Sequence, residues 1–317
     1  MLSIIIPAYN EAEALPFTSS TLQAVLAEAG IDFELVFVDD GSLDGTWDKI
    51  AALAAQDTRI SGIKLSKNFG KESAILAGLS HAAGDACALM DSDLQHPPKV
   101  LVEMYKIWLE GKVDVVEGIK LSRGKENALY KRFANLFYYL IERLGGIKLK
   151  NSSDFQLLDR RVVDIIIKLP ERQRFFRALS AWVGFNRKQV PFTVEPRIGG
   201  ISKYNFSKSA KYALTNISSF SSAPMQIVTL MGFIFFIAAI ILGVQTLFGW
   251  MAHRAVEGFT TVILLLLIIG SMLMLSIGII GLYIAKIYEE IKYRPPYLID
   301  QTTSKEIKVH IKKKLMR

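Results

Sequence analysis

The sequence has one cysteine, Cys87, in 317 residues, so no disulfide can form within the chain. Cys87 sits in a short apolar run and reads as a small core residue. Histidine is scarce: His81, His96, His253 and His310 are scattered and show no zinc-ligand spacing. The Gly-rich signatures of nucleotide cradles are missing too. Lys71 follows Gly70, but without the G-x-x-x-x-G-K-[ST] spacing, and no G-x-G-x-x-G occurs. A basic leader and cleavage site are also lacking at the N-terminus, so residues 1–8 read as a buried first strand rather than a signal peptide.

Charge is missing from two long segments, 226–250 and 260–285. Each exceeds the roughly 20 helical residues that cross a hydrocarbon core, so two transmembrane helices are expected. Elsewhere the chain is charged, with 38 Lys and Arg against 30 Asp and Glu and a net charge of +8. The mean hydropathy of +0.29 is too high for an ordinary soluble enzyme, and 21% charged residues are too many for a wholly embedded protein. A soluble part joined to a membrane part is expected. Lys203, Lys208 and Lys211 precede the first apolar segment; Lys286, Lys292, Arg294 and residues 312–314 follow the second. The positive-inside rule then puts residues 1–220 and the basic tail 286–317 in the cytoplasm, as a multi-pass protein of the inner membrane. For the tail, a solvated segment and a contact with anionic headgroups both remain open.

The first hundred residues alternate strands and helices: strands at 2–7, 33–38, 60–65 and 86–90, helices at 13–29, 46–56 and 71–83. That order predicts an α/β domain with a mostly parallel sheet. Ligands bind beyond the carboxyl ends of such strands. Polar clusters fall at each of those ends: residues 9–11, Asp39-Asp40, Lys67-Asn68 and Asp91-Ser92-Asp93. Two carboxylates leaving a buried strand, one residue apart, suit a hard cation such as Mg²⁺ or Mn²⁺ that shares its shell with substrate phosphates.

The stretches PAYNE (7–11), VDDGS (38–42), NFGKESAILAG (68–78) and MDSDLQHPP (90–98) resemble the inverting GT-A glycosyltransferases of family 2. SSDFQLLDR (152–160), LPERQRFFRALSAWVG (169–184), GGISKYN (199–205) and YEEIKYRPPY (288–297) are similar to the polyprenyl-phosphate branch, nearer bactoprenol glucosyltransferases than dolichol-phosphate mannose synthases. The resemblance implies a Rossmann-like GT-A domain over 1–220 and a hairpin over 226–285. It implies transfer of a sugar, glucose from UDP-glucose by preference and GlcNAc as the alternative, to undecaprenyl phosphate. A homo-oligomer, with a tetramer as one form, is implied as well.

By motif, Pro7, Tyr9, Glu11, Val38 and Asp40 would hold the nucleoside, and Asp91 and Ser92 the ribose and diphosphate. Asp93 and Gln95, with Asp91, would hold the metal. Lys120, Lys131, Arg197, Ser202 and Lys203 would lie about the phosphates; Lys120 and Lys131 put a point charge where the mannose synthases carry a planar arginine fork. Asp154 matches a carboxylate proposed as catalytic, and the plainer reading pairs it with Arg160 or Arg161. Segments 127–144 and 206–220 interleave aromatics with Lys and Arg, as amphipathic helices on a membrane surface or as packing against the core. A processive polysaccharide synthase would carry more membrane helices. An inactive lipid-binding scaffold would not need the acidic pair. A nucleic-acid binder would explain neither that pair nor the hairpin.

Overall fold

In a computed structural model, residues 1–121, 152–172, 174–195, 223–251 and 258–303 are described. They fall into two compact units: one carries the sheet and the residues from 294 on, the other residues 223–251 and 258–293. The expected surface helices at 127–144 and 206–220 lie outside the described residues.

The first unit begins β1 (Leu2–Ala8), α1 (Leu15–Glu28), β2 (Phe33–Asp39), α2 (Thr46–Gln56), β3 (Ile60–Leu65), α3 (Lys71–His81), β4 (Ala86–Leu89) and α4 (Pro98–Leu109). It continues β5 (Val115–Lys120), β6 (Ser152–Asp159), α5 (Arg160–Lys168), α6 (Phe176–Trp182), β7 (Arg187–Phe192) and, after the second unit, β8 (Ile299–Thr302). The eight strands form one sheet in the order β7-β5-β6-β4-β1-β2-β3-β8. Successive side chains of a strand point to opposite faces. Leu2, Ile4 and Ile6 of β1 therefore meet Leu22 and Leu26 of α1 and Leu101 and Met104 of α4. On the other face Ile5 joins Ala74 and Ile75 of α3 and Val162 and Ile166 of α5. Burial on both faces explains the near-continuous apolar strands. Cys87 belongs to the second cluster and is fully buried.

Register positions the site. β1 runs parallel to β2 and β4, with Ala8 opposite Asp39 and Ile5 opposite Leu89. The loops after these strands therefore leave the sheet at one edge. β6 runs antiparallel to β4, with Leu89 opposite Gln156. Continuing that register by two residues puts Asp154 across from Asp91, although 63 residues separate them in the sequence.

Residues 286–317 were expected to be a basic tail, but four of them form β8. Its Ile299 pairs with Leu65 and its Thr302 with Ile63, and Trp47 Nε1 donates to Gln301 at 2.8 Å. Four residues that include Asp and Gln carry too little apolar pattern to read as a strand. The signal was Tyr297 and Ile299, two apart, which pack on the second core cluster. The strand covers the β3 edge, which would otherwise expose unpaired backbone groups.

The second unit holds α7 (Ala223–Met251) and α8 (Phe259–Ile291). These run somewhat past the uncharged segments 226–250 and 260–285. Within them Val228–Gln245 and Ile268–Ile291 are long and apolar enough to cross a membrane, and neither is buried by protein. At about 1.5 Å per residue they span roughly 27 and 36 Å, comparable with a hydrocarbon core of about 30 Å. Phe233, Ile241, Met274 and Leu275 are exposed. Such apolar surfaces require an apolar cover.

Gly41 has φ +67°, and a Cβ there would lie 2.3 Å from the backbone carbon of Lys67. Gly41→Ala should therefore destabilise the protein by about 1–3 kcal/mol, through left-handed strain and separation of the two loops. An unchanged thermal unfolding midpoint would show that the loops part freely.

Candidate active site

The site is built from loops tied to one another. Asn10, at φ 55°, accepts from Leu43 N–H through Oδ1 at 3.0 Å and donates its own N–H to Ser42 Oγ at 2.9 Å. Glu11 N–H donates to Thr46 Oγ1 at 3.0 Å. These bonds join the β1 loop to the β2 loop. Asp40, which is buried, accepts from Phe69 N–H at 2.7 Å and Gly70 N–H at 2.9 Å, joining the β2 loop to the β3 loop. Burial raises the Asp40 carboxyl, against the lowering effect of the two amides. Pro7 and Val38 stand near the ends of β1 and β2, and Tyr9 is exposed at this edge.

Asp40 thereby fixes the residue after Gly70. Lys71 opens α3, and its Nζ lies 2.6 Å from Asp91 Oδ1 and 2.9 Å from Asp154 Oδ2. Arg177, on α6, grips the same Asp154 with a fork: Nε meets Oδ1 at 2.5 Å and an Nη meets Oδ2 at 3.0 Å. Burial disfavours the Asp154 anion, but Lys71 and Arg177 outweigh it and hold the carboxyl well below its ordinary range. Asp91 is likewise opposed by burial and held low by Lys71. For Lys71, burial works against the charge and Asp154 and Asp91 overcome it, so it stays protonated. Its side chain remains 41% exposed, open to solvent on one side.

Glu72, the next residue, accepts from Phe176 N–H at 2.9 Å. That bond pins the start of α6 to α3 and sets Arg177 beside Asp154. Burial, then repulsion by Asp154, pushes the Glu72 carboxyl up to about 7.

The β4 loop supplies the rest. Ser92 C=O accepts from Thr18 Oγ1 at 2.6 Å, and Asp93 Oδ1 accepts from Gln95 N–H at 3.1 Å. Asp93 is only 6% exposed. Leu94 takes φ 52°, which turns the chain back. His96 stacks on Phe155 at 4.8 Å and meets Phe192 edge-on, with Nδ1 buried and without a hydrogen-bond partner among the described residues. Burial first, with help from Lys120 and Lys71, pushes its imidazole down to about 4, so it is neutral. Lys120 thus stands close enough to be felt at this site. Lys131, Arg197, Ser202 and Lys203 lie outside the described residues.

The pairing of Asp154 with Arg160 or Arg161 is not what the structure shows. Arg160 pairs with Asp164, and Arg161 with Asp114 and Asp159. Six residues of extended chain carry them roughly 20 Å along β6 from Asp154. Lys71, Glu72 and Arg177 are the site residues that sequence reasoning missed. The available signal was a cation at the first helical position after a strand-end loop, but its partners depend on strand register.

Among the described residues no group of three or more His, Cys, Asp or Glu side chains is placed to hold a metal. The Asp91–Asp93 pair with Gln95 offers hard oxygens for a Mg²⁺- or Mn²⁺-type ion that takes its other ligands from phosphate and water.

Residues 3–165 match the family Glycosyl transferase family 2. An uncharacterized glycosyltransferase of Synechocystis is 37% identical over 94% of this chain and 94% of its own. A putative glycosyltransferase of Bacillus subtilis, CsbB, is 36% identical over 95% of this chain and 92% of its own. The SfII prophage-derived bactoprenol glucosyl transferase of Shigella flexneri is 35% identical over 95% and 98%. These matches, with the mostly parallel α/β sheet, make the first unit a GT-A-type domain and the protein a glycosyltransferase. The chain belongs to glycosyl transferase family 2.

Because the folded state raises the Glu72 carboxyl from 4.5 to about 7, it binds that proton more tightly than the unfolded chain. This contribution to stability is present below the unfolded value and lost as pH rises through about 7. The wild-type unfolding midpoint should therefore fall from pH 5 to pH 8 relative to that of Glu72→Gln, which keeps an acceptor for Phe176. Parallel curves for the two proteins would contradict this.

Proposed function

We propose that the protein transfers a sugar, glucose from UDP-glucose, to a polyprenyl phosphate at the cytoplasmic face of the membrane. The observation that carries this reading is the apposition at one sheet edge: Asp91 of the acidic pair and Asp154 share Lys71, and Arg177 also holds Asp154. An anionic donor and an anionic acceptor need such an arrangement of fixed charge. The relatives named as bactoprenol glucosyl transferases support the lipid acceptor. The two membrane-length helices support access to it, and the Lys and Arg that flank them support the cytoplasmic placement.

The reaction is an in-line displacement with inversion at the anomeric carbon. An oxygen of the lipid phosphate forms the new C–O bond as the bond to the diphosphate breaks, and UDP leaves with the electron pair. The nucleophile is already an anion near neutral pH, so little is asked of a general base. Asp154 suits that: both its oxygens accept from cations, which favours the ionised form and an orienting role. Lys71 and Arg177 lower the repulsion between the reacting phosphates. A divalent cation held by Asp91, Asp93 and Gln95 would neutralise charge on the departing diphosphate. Pro7, Tyr9, Glu11 and Val38 would hold the nucleoside, and Lys131, Arg197, Ser202 and Lys203 would lie near the acceptor.

The test uses full-length protein in detergent with Mg²⁺ or Mn²⁺, undecaprenyl phosphate and radiolabelled UDP-glucose, UDP-GlcNAc and GDP-mannose. Label should enter the organic phase from UDP-glucose, and Asp93→Ala should reduce the rate by about a hundredfold or more. Label from UDP-GlcNAc alone would reassign the sugar. No label from any donor, in folded protein, would refute the transfer and favour a lipid-binding scaffold.

A further inference from the structure

Lys71 is shared between two carboxylates that the proposed reaction uses differently. One, Asp91, belongs to the donor's acidic pair; the other, Asp154, faces the acceptor. We propose that Lys71 is an exchangeable counter-ion, a positioning residue that holds Asp91 until the donor's divalent cation arrives and then yields it while remaining tied to Asp154. This rests on the function proposed above and adds a second role for Lys71 beside its effect on the reacting phosphates.

Three observations and one principle carry it. Lys71 Nζ lies 2.6 Å from Asp91 Oδ1 and 2.9 Å from Asp154 Oδ2, so it is shared between the donor-side carboxylate and the other. A divalent cation and an ammonium at one carboxylate repel each other, so the arrival of the ion displaces Lys71. Arg177 secures Asp154 through two hydrogen bonds, so that carboxylate stays in place whichever way Lys71 turns. The Lys71 backbone is fixed by Asp40's hold on Gly70, while its side chain is 41% exposed and ends in a compact charge on a flexible stem. Only the ammonium needs to move, and water can solvate it on the way.

The exchange has a consequence for order. Before the donor binds, Lys71 is neutralised by two carboxylates, and an acceptor phosphate gains little from it. Once the cation takes Asp91, Lys71 keeps one carboxylate, and the acceptor side becomes more positive. Donor binding therefore strengthens acceptor binding, and by linkage the reverse holds.

The experiment measures Mn²⁺ affinity by electron paramagnetic resonance in the full-length detergent-solubilised protein with UDP, for wild type, Lys71→Met and Lys71→Arg. Lys71→Met should bind Mn²⁺ about tenfold more tightly, because the ion no longer competes with a resident cation. The same variant should raise the KM for undecaprenyl phosphate about tenfold. Lys71→Arg, which keeps the charge, should stay near wild type in Mn²⁺ affinity. Lys71→Gln replaces the methionine variant if that one does not fold. Wild-type Mn²⁺ binding with unchanged or weaker affinity in the variant overturns the exchange and leaves the proposed function standing. A wild type that binds no Mn²⁺ with UDP overturns the metal reading and the exchange with it.

Discussion

Two carboxylates, Asp91 and Asp154, meet across the ends of β4 and β6, and Lys71 stands between them. Without that ammonium, only Arg177 on Asp154 would offset the repulsion between the two like charges, which favours taking up a proton. The rest of the site exists to put Lys71 and Arg177 where they neutralise this pair. Asp40 spends both oxygens on Phe69 and Gly70 N–H, which fixes the residue that opens α3. Glu72 spends one on Phe176 N–H, which fixes the residue before Arg177. Backbone amides are thus used to place cations, and the cations to keep carboxylates ionised.

The topology that makes the pair also explains what was legible in the sequence. β1 through β4 follow one another with helical crossovers, and a run of apolar residues followed by polar ones marks each strand end. The acidic pair at 91 and 93 was readable because its residues are neighbours in the chain. Asp154 was readable as important, but its partners were not. β6 is antiparallel to β4, and that pairing is fixed by a register between Leu89 and Gln156 that no local pattern announces. Lys71 and Arg177 reach Asp154 from 83 and 23 residues away. β8 was hidden for a different reason: an edge strand of four residues needs few apolar side chains, because one partner and two anchors, Tyr297 and Ile299, suffice.

The two compact units divide the solvents. The sheet unit buries its apolar residues in two clusters and keeps charge at one edge. The helical unit does the opposite, with apolar side chains outward. The proposed transfer, from a water-soluble nucleotide sugar to a lipid phosphate, needs both surfaces, since neither substrate is soluble where the other is. That requirement also accounts for a mean hydropathy between the values expected of soluble and embedded proteins.

Ion networks of this kind rarely stabilise a fold. Removing charges from water is costly, and well-packed apolar residues often do as well or better. On the proposed function, their presence at the strand ends is better explained by what they do to a reacting phosphate. Once the donor is bound, Lys71, Arg177 and Asp154 need little reorganisation as charge passes from the acceptor phosphate to the departing diphosphate, and such preorganised charge is worth more there than in water. Asp154 fits this picture as the group that holds two cations at a set spacing. A carboxylate with both oxygens engaged by cations is a weak proton acceptor, yet it orients a lysine and an arginine toward the same point. For an acceptor that arrives already ionised, that orientation is the more useful service.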